Sequence, residues 1–176
     1  MRLGKEKVNT ICQDNYCKGI TWEIQTDKYN FDQPNAIDKT LFEKQLIDLN
    51  RGKNILMPVY DHDLHSMTTR TVEIQPKLIN IIEGTLILQF GFTKKLLDIC
   101  MYIEIPDLIS LNRRISRDTY ERGRSIPEIT SQYRKQVLSM QKKYIESVKY
   151  LADHILDGTT SNASLVEQAS NIVGEN

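Results

Sequence analysis

The chain has 176 residues, 23 Lys+Arg against 23 Asp+Glu, and 40% hydrophobic residues, enough for one packed core. A formal charge of zero excludes nucleic acid as a bulk electrostatic partner, and no apolar run reaches the length of a membrane span. The three cysteines, Cys12, Cys17 and Cys100, lack metal-site spacing and suit a reducing cytosol, and charged Met1 to Lys7 has no signal-peptide h-region, so a cytoplasmic protein is expected.

In chain order, Val8 to Cys12 predicts a short strand followed by the polar loop Gln13-Asp14-Asn15-Tyr16. Residues 18–34 show no period, and Asp32-Gln33-Pro34-Asn35 is turn chemistry. Ile37, Leu41, Leu46 and Leu49 recur at roughly helical spacing between Ala36 and Asn50. Ile55 to Tyr60 and Thr69 to Ile74 alternate on either side of a polar loop and predict a β-hairpin. Leu78-Ile79-Asn80-Ile81-Ile82-Glu83-Gly84 is an apolar run closed by an acid and a glycine. It predicts a buried parallel strand that presents Glu83 at the carboxyl edge, where open α/β sheets collect ligands. An ordinary core strand with a solvated terminal Glu explains the same letters.

A short helix is predicted near Thr93 to Leu97, a buried strand over Asp98 to Glu104, and a helix over Leu108 to Tyr120. Ser125-Ile126-Pro127-Glu128 carries the signature of a capped helix start, and that helix is expected to run to about Val148. A last strand over Asp153 to Leu156 and a terminal helix over Asn162 to Val173, capped by Asn162 or Ser164, complete the pattern. Strands alternating with helices predict an α/β fold with a largely parallel sheet.

Four constellations carry chemistry. Asp14, at the end of the first strand, is a carboxylate placed to take a proton from a hydroxyl, or a loop acid. Phe31 beside Asp32 suits a nucleoside, the ring on base or sugar and the acid on vicinal hydroxyls, or is a buried ring before a turn. Tyr60, His62, Asp63 and His65 crowd the hairpin tip as a base-recognition loop, as metal ligands (His62, Asp63, His65) or as exposed residues without a role. Arg113, Arg114, Arg117, Arg122 and Arg124 fall on a helix and the turn after it, where guanidinium forks suit phosphoryl oxygens. Gly123 would be a lid hinge. Asp118 and Glu121 are alternative partners for the same arginines.

These stretches resemble the uridine–cytidine kinase family of P-loop kinases. The residues that carry the resemblance are Gln13-Asp14, Tyr29-Asn30-Phe31-Asp32-Gln33-Pro34, Pro58-Val59-Tyr60-Asp61, His65-Ser66, Glu83-Gly84, Arg113-Arg114, Arg117-Asp118, Glu121-Arg122-Gly123-Arg124 and Ser131-Gln132-Tyr133, in family order over roughly residues 8 to 156. The resemblance implies a P-loop kinase-like, mostly parallel sheet with flanking helices, in one domain over residues 1–176. A β-hairpin insertion at about 54–75 and an Arg-rich lid at about 113–128 would belong to it. It implies ATP and Mg²⁺ as cofactors and transfer of a phosphoryl group to uridine or cytidine. Asp14 would be the base, Asp32 would hold the ribose hydroxyls, and Phe31, Tyr60, His65, Arg114, Arg124 and Gln132 would bind the nucleoside. Glu83, with Asp14, would organise Mg²⁺, and Arg117 and Arg122 would cover the phosphates. A homotetramer built partly through the hairpin, or assembly with a complete kinase subunit, is also implied.

The sequence departs from the family in ways that set further expectations. It holds no G-x-x-x-x-G-K-[ST], the loop the family carries just before the region matching Val8, so the first central strand and the P-loop are expected to be absent. Without that nest of N–H groups and its lysine, phosphoryl transfer loses its main source of positioning, and this chain alone is expected to be inactive. Cys17 stands where a second ring is expected, His62 where a Phe encloses the base, and Ser161 where an acid meets the nucleotide. The alternatives are a catalytically dead nucleoside-binding or subunit-interaction paralogue, and a phosphoribulokinase-like or pantothenate kinase-like enzyme.

Overall fold

The computed structural model describes residues 5–19, 30–61 and 64–174. Tyr29, His62 and Asp63 lie outside the described residues. Contacts divide the chain into two compact units, Arg2–Asp98 and a second beginning at Ile99.

In the first unit β1 (Val8–Cys12) pairs in parallel with β4 (Ile79–Glu83), Cys12 opposite Glu83. Between them in sequence come α1 (Lys39–Asn50), β2 (Ile55–Asp61) and β3 (Ser66–Ile74). β2 and β3 form the expected antiparallel hairpin, with a register shift between Pro58 and Tyr60. The short helix α2 (Thr93–Leu96) closes the unit. Helix α1 begins where Asp38 accepts a hydrogen bond from the Leu41 amide at 3.0 Å, a side-chain cap that satisfies one of the orphan donors of the first turn.

The core of this unit is aromatic: Tyr16 and Phe42 are fully buried, with ring centroids 4.8 Å apart. Burying a side chain of that size contributes about 1.5–3 kcal/mol. The Tyr16 hydroxyl donates to Gln45 Oε1 at 2.7 Å and Gln45 Nε2 donates to the Leu56 carbonyl at 2.8 Å. This buried relay ties the loop after β1 to α1 and to β2, with its polar groups satisfied as burial demands.

The strand at 79–83 is parallel, as its apolar run predicts, but it is not buried on both faces. Asn9, Ile11, Asn80 and Ile82 share one face of the ladder, and Asn9 and Ile11 are buried there. On the other face Ile81 is 48% exposed. A two-stranded ladder covered on one side alternates, and the apolar letters did not carry that distinction.

The second unit holds β5 (Met101–Glu104), α3 (Asp107–Arg122), α4 (Ile126–Gln132), α5 (Leu138–Met140), β6 (His154–Asp157) and α6 (Asn162–Gly174). β5 and β6 pair in parallel, Met101 opposite His154. The described strands thus form three two-stranded ladders, two of them parallel, where the sequence pattern predicts one sheet. Ile129, Tyr133, Cys100 and Leu156 are buried in this unit.

Two expectations change here. The helix after Ser125 is not regular to Val148: wide π turns occupy Tyr133–Val137 and Gln141–Ile145, and a 3₁₀ stretch runs over Glu146–Leu151. Helix α6 is capped by neither Asn162 nor Ser164, because Ser161 Oγ accepts from the Ser164 amide at 3.2 Å and the Ser161 carbonyl from Leu165.

Candidate functional site

The sequence-predicted residues fall into two groups, one in each compact unit. In the first unit they gather at the carboxyl ends of β1 and β4. Asp14 is exposed just past β1, and Glu83, also exposed, ends β4. The Cys12 thiol lies between them: burial first, then its hydrogen bond to Glu83, push it up to about 12. Burial followed by the charges of Asp14, Cys12 and Asp32 raises Cys17 to about 12 as well. Asp14 thus acts on both thiols, Glu83 on Cys12 and Asp32 on Cys17.

Gln13 fixes this end of the ladder. It is 1% exposed, and its Oε1 accepts from the Leu86 amide at 3.0 Å. Gly84 makes room for it, since a β-carbon at Gly84 would stand 2.4 Å from Gln13 Cβ.

The hairpin tip meets the same region. The Tyr60 amide donates to Asn15 Oδ1 at 3.2 Å, so buried Tyr60 is tied to the residue after Asp14. Gly19 passes so near the tip that a β-carbon there would be 3.0 Å from Ser66 Cα. His65 sits at φ 50, a left-handed conformation that β-carbons disfavour. Its ring stacks on Phe31 at 5.0 Å with planes 26° apart. Asn30 Oδ1 accepts from the Asp32 amide at 2.9 Å and so fixes the turn that carries Asp32. The structure therefore brings Phe31 and His65 into contact and joins Tyr60 to the Asp14 loop. Among the described residues no group of three His, Cys, Asp or Glu side chains is arranged to hold a metal ion.

In the second unit, Arg114, Arg117, Arg122 and Arg124 converge on one carboxylate. Asp118 is fully buried; Arg117 Nη2 lies 2.8 Å and Arg122 Nη1 3.5 Å from its Oδ1, and Arg114 Nε 3.6 Å and Arg124 Nη1 3.7 Å from its Oδ2. Arg124 Nη1 also donates to Gln132 Oε1 at 2.9 Å, which links two of the three predicted nucleoside contacts of this unit. Arg113 stays outside the cluster, exposed on α3. Sequence reasoning placed Asp118 among the alternatives; the signal was its spacing of four from both Arg114 and Arg122. Gln13 and Asn15, whose roles depend on Leu86 and Tyr60 far along the chain, carried no such signal.

The donor sets fit the implied cofactors in kind. Among the described residues, four guanidiniums surround one buried carboxylate, a set suited in kind to a polyphosphate. Exposed Asp14 and Glu83 are oxygen donors suited to Mg²⁺.

The structure of "a Possible Uridine Kinase" from Bacillus stearothermophilus matches with a TM-score of 0.60 over 86% of this chain and 72% of that chain at 17% identity. The fold is thus α/β and P-loop kinase-like, with parallel strand pairs and flanking helices. The chain belongs to the family described as "Phosphoribulokinase / Uridine kinase family", whose model matches residues 7–164. It is 37% identical over 158 residues to a uridine kinase of Cronobacter sakazakii, spanning 88% of this chain and 74% of that protein. To a uridine kinase of Clostridium novyi it is 37% identical over 173 residues, spanning 94% of this chain and 83% of that protein.

Proposed function

We propose that this protein is a pyrimidine ribonucleoside kinase in kind, directed at the 5′-hydroxyl of uridine or cytidine. The observations that support the reading are the Phe31–His65 stack next to Asp32 and the shared influence of Asp14 and Asp32 on Cys17, in a chain 37% identical to a uridine kinase. Exposed Asp14 accepts the proton of the sugar hydroxyl as its oxygen becomes the nucleophile. Asp32 accepts hydrogen bonds from the vicinal ribose hydroxyls. Phe31, Tyr60 and His65 pack and read the base, with Arg114, Arg124 and Gln132 as further nucleoside contacts. Arg117 and Arg122 meet phosphate charge. ATP with Mg²⁺, near Asp14 and Glu83, supplies the transferable phosphoryl group when bound. The cytosol is the compartment this reading requires. A homotetramer through the hairpin belongs to it too.

The 176-residue polypeptide contains no G-x-x-x-x-G-K-[ST]. On its own it is expected to bind nucleoside without turnover, because the positioning of the transferred group is what that loop provides. The same feature favours a second reading, a nucleoside-binding or subunit-joining paralogue without catalysis. Calorimetric titration with uridine and cytidine, paired with an assay for the nucleoside 5′-monophosphate, tests both. Binding is expected for the folded chain, and Asp32→Ala should weaken it by about tenfold or more, the worth of a hydrogen bond to a charged group. No heat from either nucleoside would remove the nucleoside reading. Measurable monophosphate formation by the polypeptide alone would remove the expectation of inactivity.

A further inference from the structure

Asp118 has no accessible surface, so its carboxylate cannot itself meet a ligand. What it touches is cationic: Arg117 holds it through both Nε and Nη2 at 2.8 Å, and Arg114, Arg122 and Arg124 lie within 3.7 Å. The four arginine side chains remain between 23% and 47% exposed. The Asp118 main chain is engaged as well, for its carbonyl accepts from the amides of Gly123 and Arg124 at the left-handed end of α3. One residue thus closes the helix and draws together four groups of like charge that would otherwise repel.

We propose that Asp118 is a positioning residue that holds Arg114, Arg117, Arg122 and Arg124 as one cluster for a linear polyphosphate, the chemistry of a nucleotide's phosphate chain. The inference rests on the reading of Arg117 and Arg122 as phosphate-facing, and it goes further by extending a phosphate role to Arg114 and Arg124, named above as nucleoside contacts, and by assigning the geometry of the cluster to a buried anion. Two roles for Asp118 make opposite forecasts. If it only neutralised charge, removing that charge would strengthen anion binding, since the cluster would gain one net positive charge. If it positions the guanidiniums, removing it would weaken binding, since they would no longer converge.

The test is titration of the full chain with inorganic tripolyphosphate at low salt, comparing wild type with Asp118→Asn, Arg113→Gln, Arg114→Gln and the double variant Asp118→Asn/Arg114→Gln. Asp118→Asn should weaken binding by about tenfold, the loss expected of a charge-assisted contact. Arg113→Gln removes a charge outside the cluster and should leave affinity nearly unchanged. The double variant restores the wild-type net charge, yet should bind about tenfold more weakly than Arg114→Gln alone. Equal or tighter binding by Asp118→Asn, or by the double variant relative to Arg114→Gln, overturns the proposal, as does a wild-type chain that takes up no tripolyphosphate. If neither Asp118 variant folds by circular dichroism, the wild-type chain decides through its arginine Nε–H resonances. All four should move together along one binding curve, and independent curves would sink the idea. A chain that binds uridine but not tripolyphosphate keeps the nucleoside reading and loses this one. The reverse pattern with the Asp118 dependence intact does the opposite.

Discussion

Gln13 shows how a single side chain can fix the end of a parallel strand pair. Its Oε1 holds the Leu86 amide at 3.0 Å, its buried stem fills the space left by Gly84, and the exposed acids Asp14 and Glu83 follow directly on either side. A β-carbon at Gly84 would fall 2.4 Å from Gln13 Cβ and 2.6 Å from Oε1, closer than packed atoms approach. Gly84→Ala should therefore force the two strand ends apart and destabilise the chain by about 1–3 kcal/mol, as overpacking does. An unchanged denaturation midpoint would contradict this account. The sequence announced Glu83 and Asp14 as acids at strand ends. It showed Gln13 only as the neighbour of Asp14, with no sign of its packing role, because the partner that makes it important is 73 residues away.

Among the elements, α4 is the most local in its causes. Ser125 accepts from the Glu128 amide while Glu128 Oε2 accepts from the Ser125 amide and hydroxyl at 3.1 and 2.9 Å. These hydrogen bonds, from the Ser125 side chain first, hold the Glu128 carboxyl below its usual range. A depressed carboxyl contributes stability above its unfolded pKa and loses it as pH falls through the folded one. Ser125→Ala should cost about 1 kcal/mol at neutral pH, and the difference should shrink in acid, once Glu128 is protonated. Thermal melts of both chains at the two pH values measure it. Beyond α4 the sequence is silent: no Gly or Pro lies between Glu128 and Asp157, yet the helix widens into π turns at Tyr133 and Gln141. The buried Tyr133, whose hydroxyl donates to the Asp107 carbonyl at 3.2 Å, ties this stretch to α3. That is a tertiary contact with no local signature.

At the scale of the whole molecule, three ionisable groups in the first unit, buried Tyr16 and Cys17 and half-buried Cys12, bear on its alkaline limit. Burial raises Tyr16 above its usual range, and Cys12 and Cys17 are pushed up from 9.0 to about 12. Each is neutral when folded, so the stability it supports is fully present below the unfolded pKa and is lost as pH rises toward the folded one. The urea midpoint should hold near neutrality and decline between pH 9.0 and about 12. Replacing Cys12 and Cys17 by serine should flatten that decline by about one proton per thiol. A midpoint that stays level through this window would show that the thiols ionise as freely in the folded chain as in the unfolded one.

By itself the sequence determined the order and kind of the elements, the hairpin, the cap of α4 and the family, because propensity, capping and motif spacing act between residues a few positions apart. Only the tertiary structure decided that β4 is covered on one face and that Gln13 locks the end of β1. It alone turned Asp118 from one more charge on a helix into the buried anion around which four arginines meet. The arginines reach Asp118 from its own helix and the turn after it, but its burial belongs to packing, and packing is settled by residues that stand far apart along the chain.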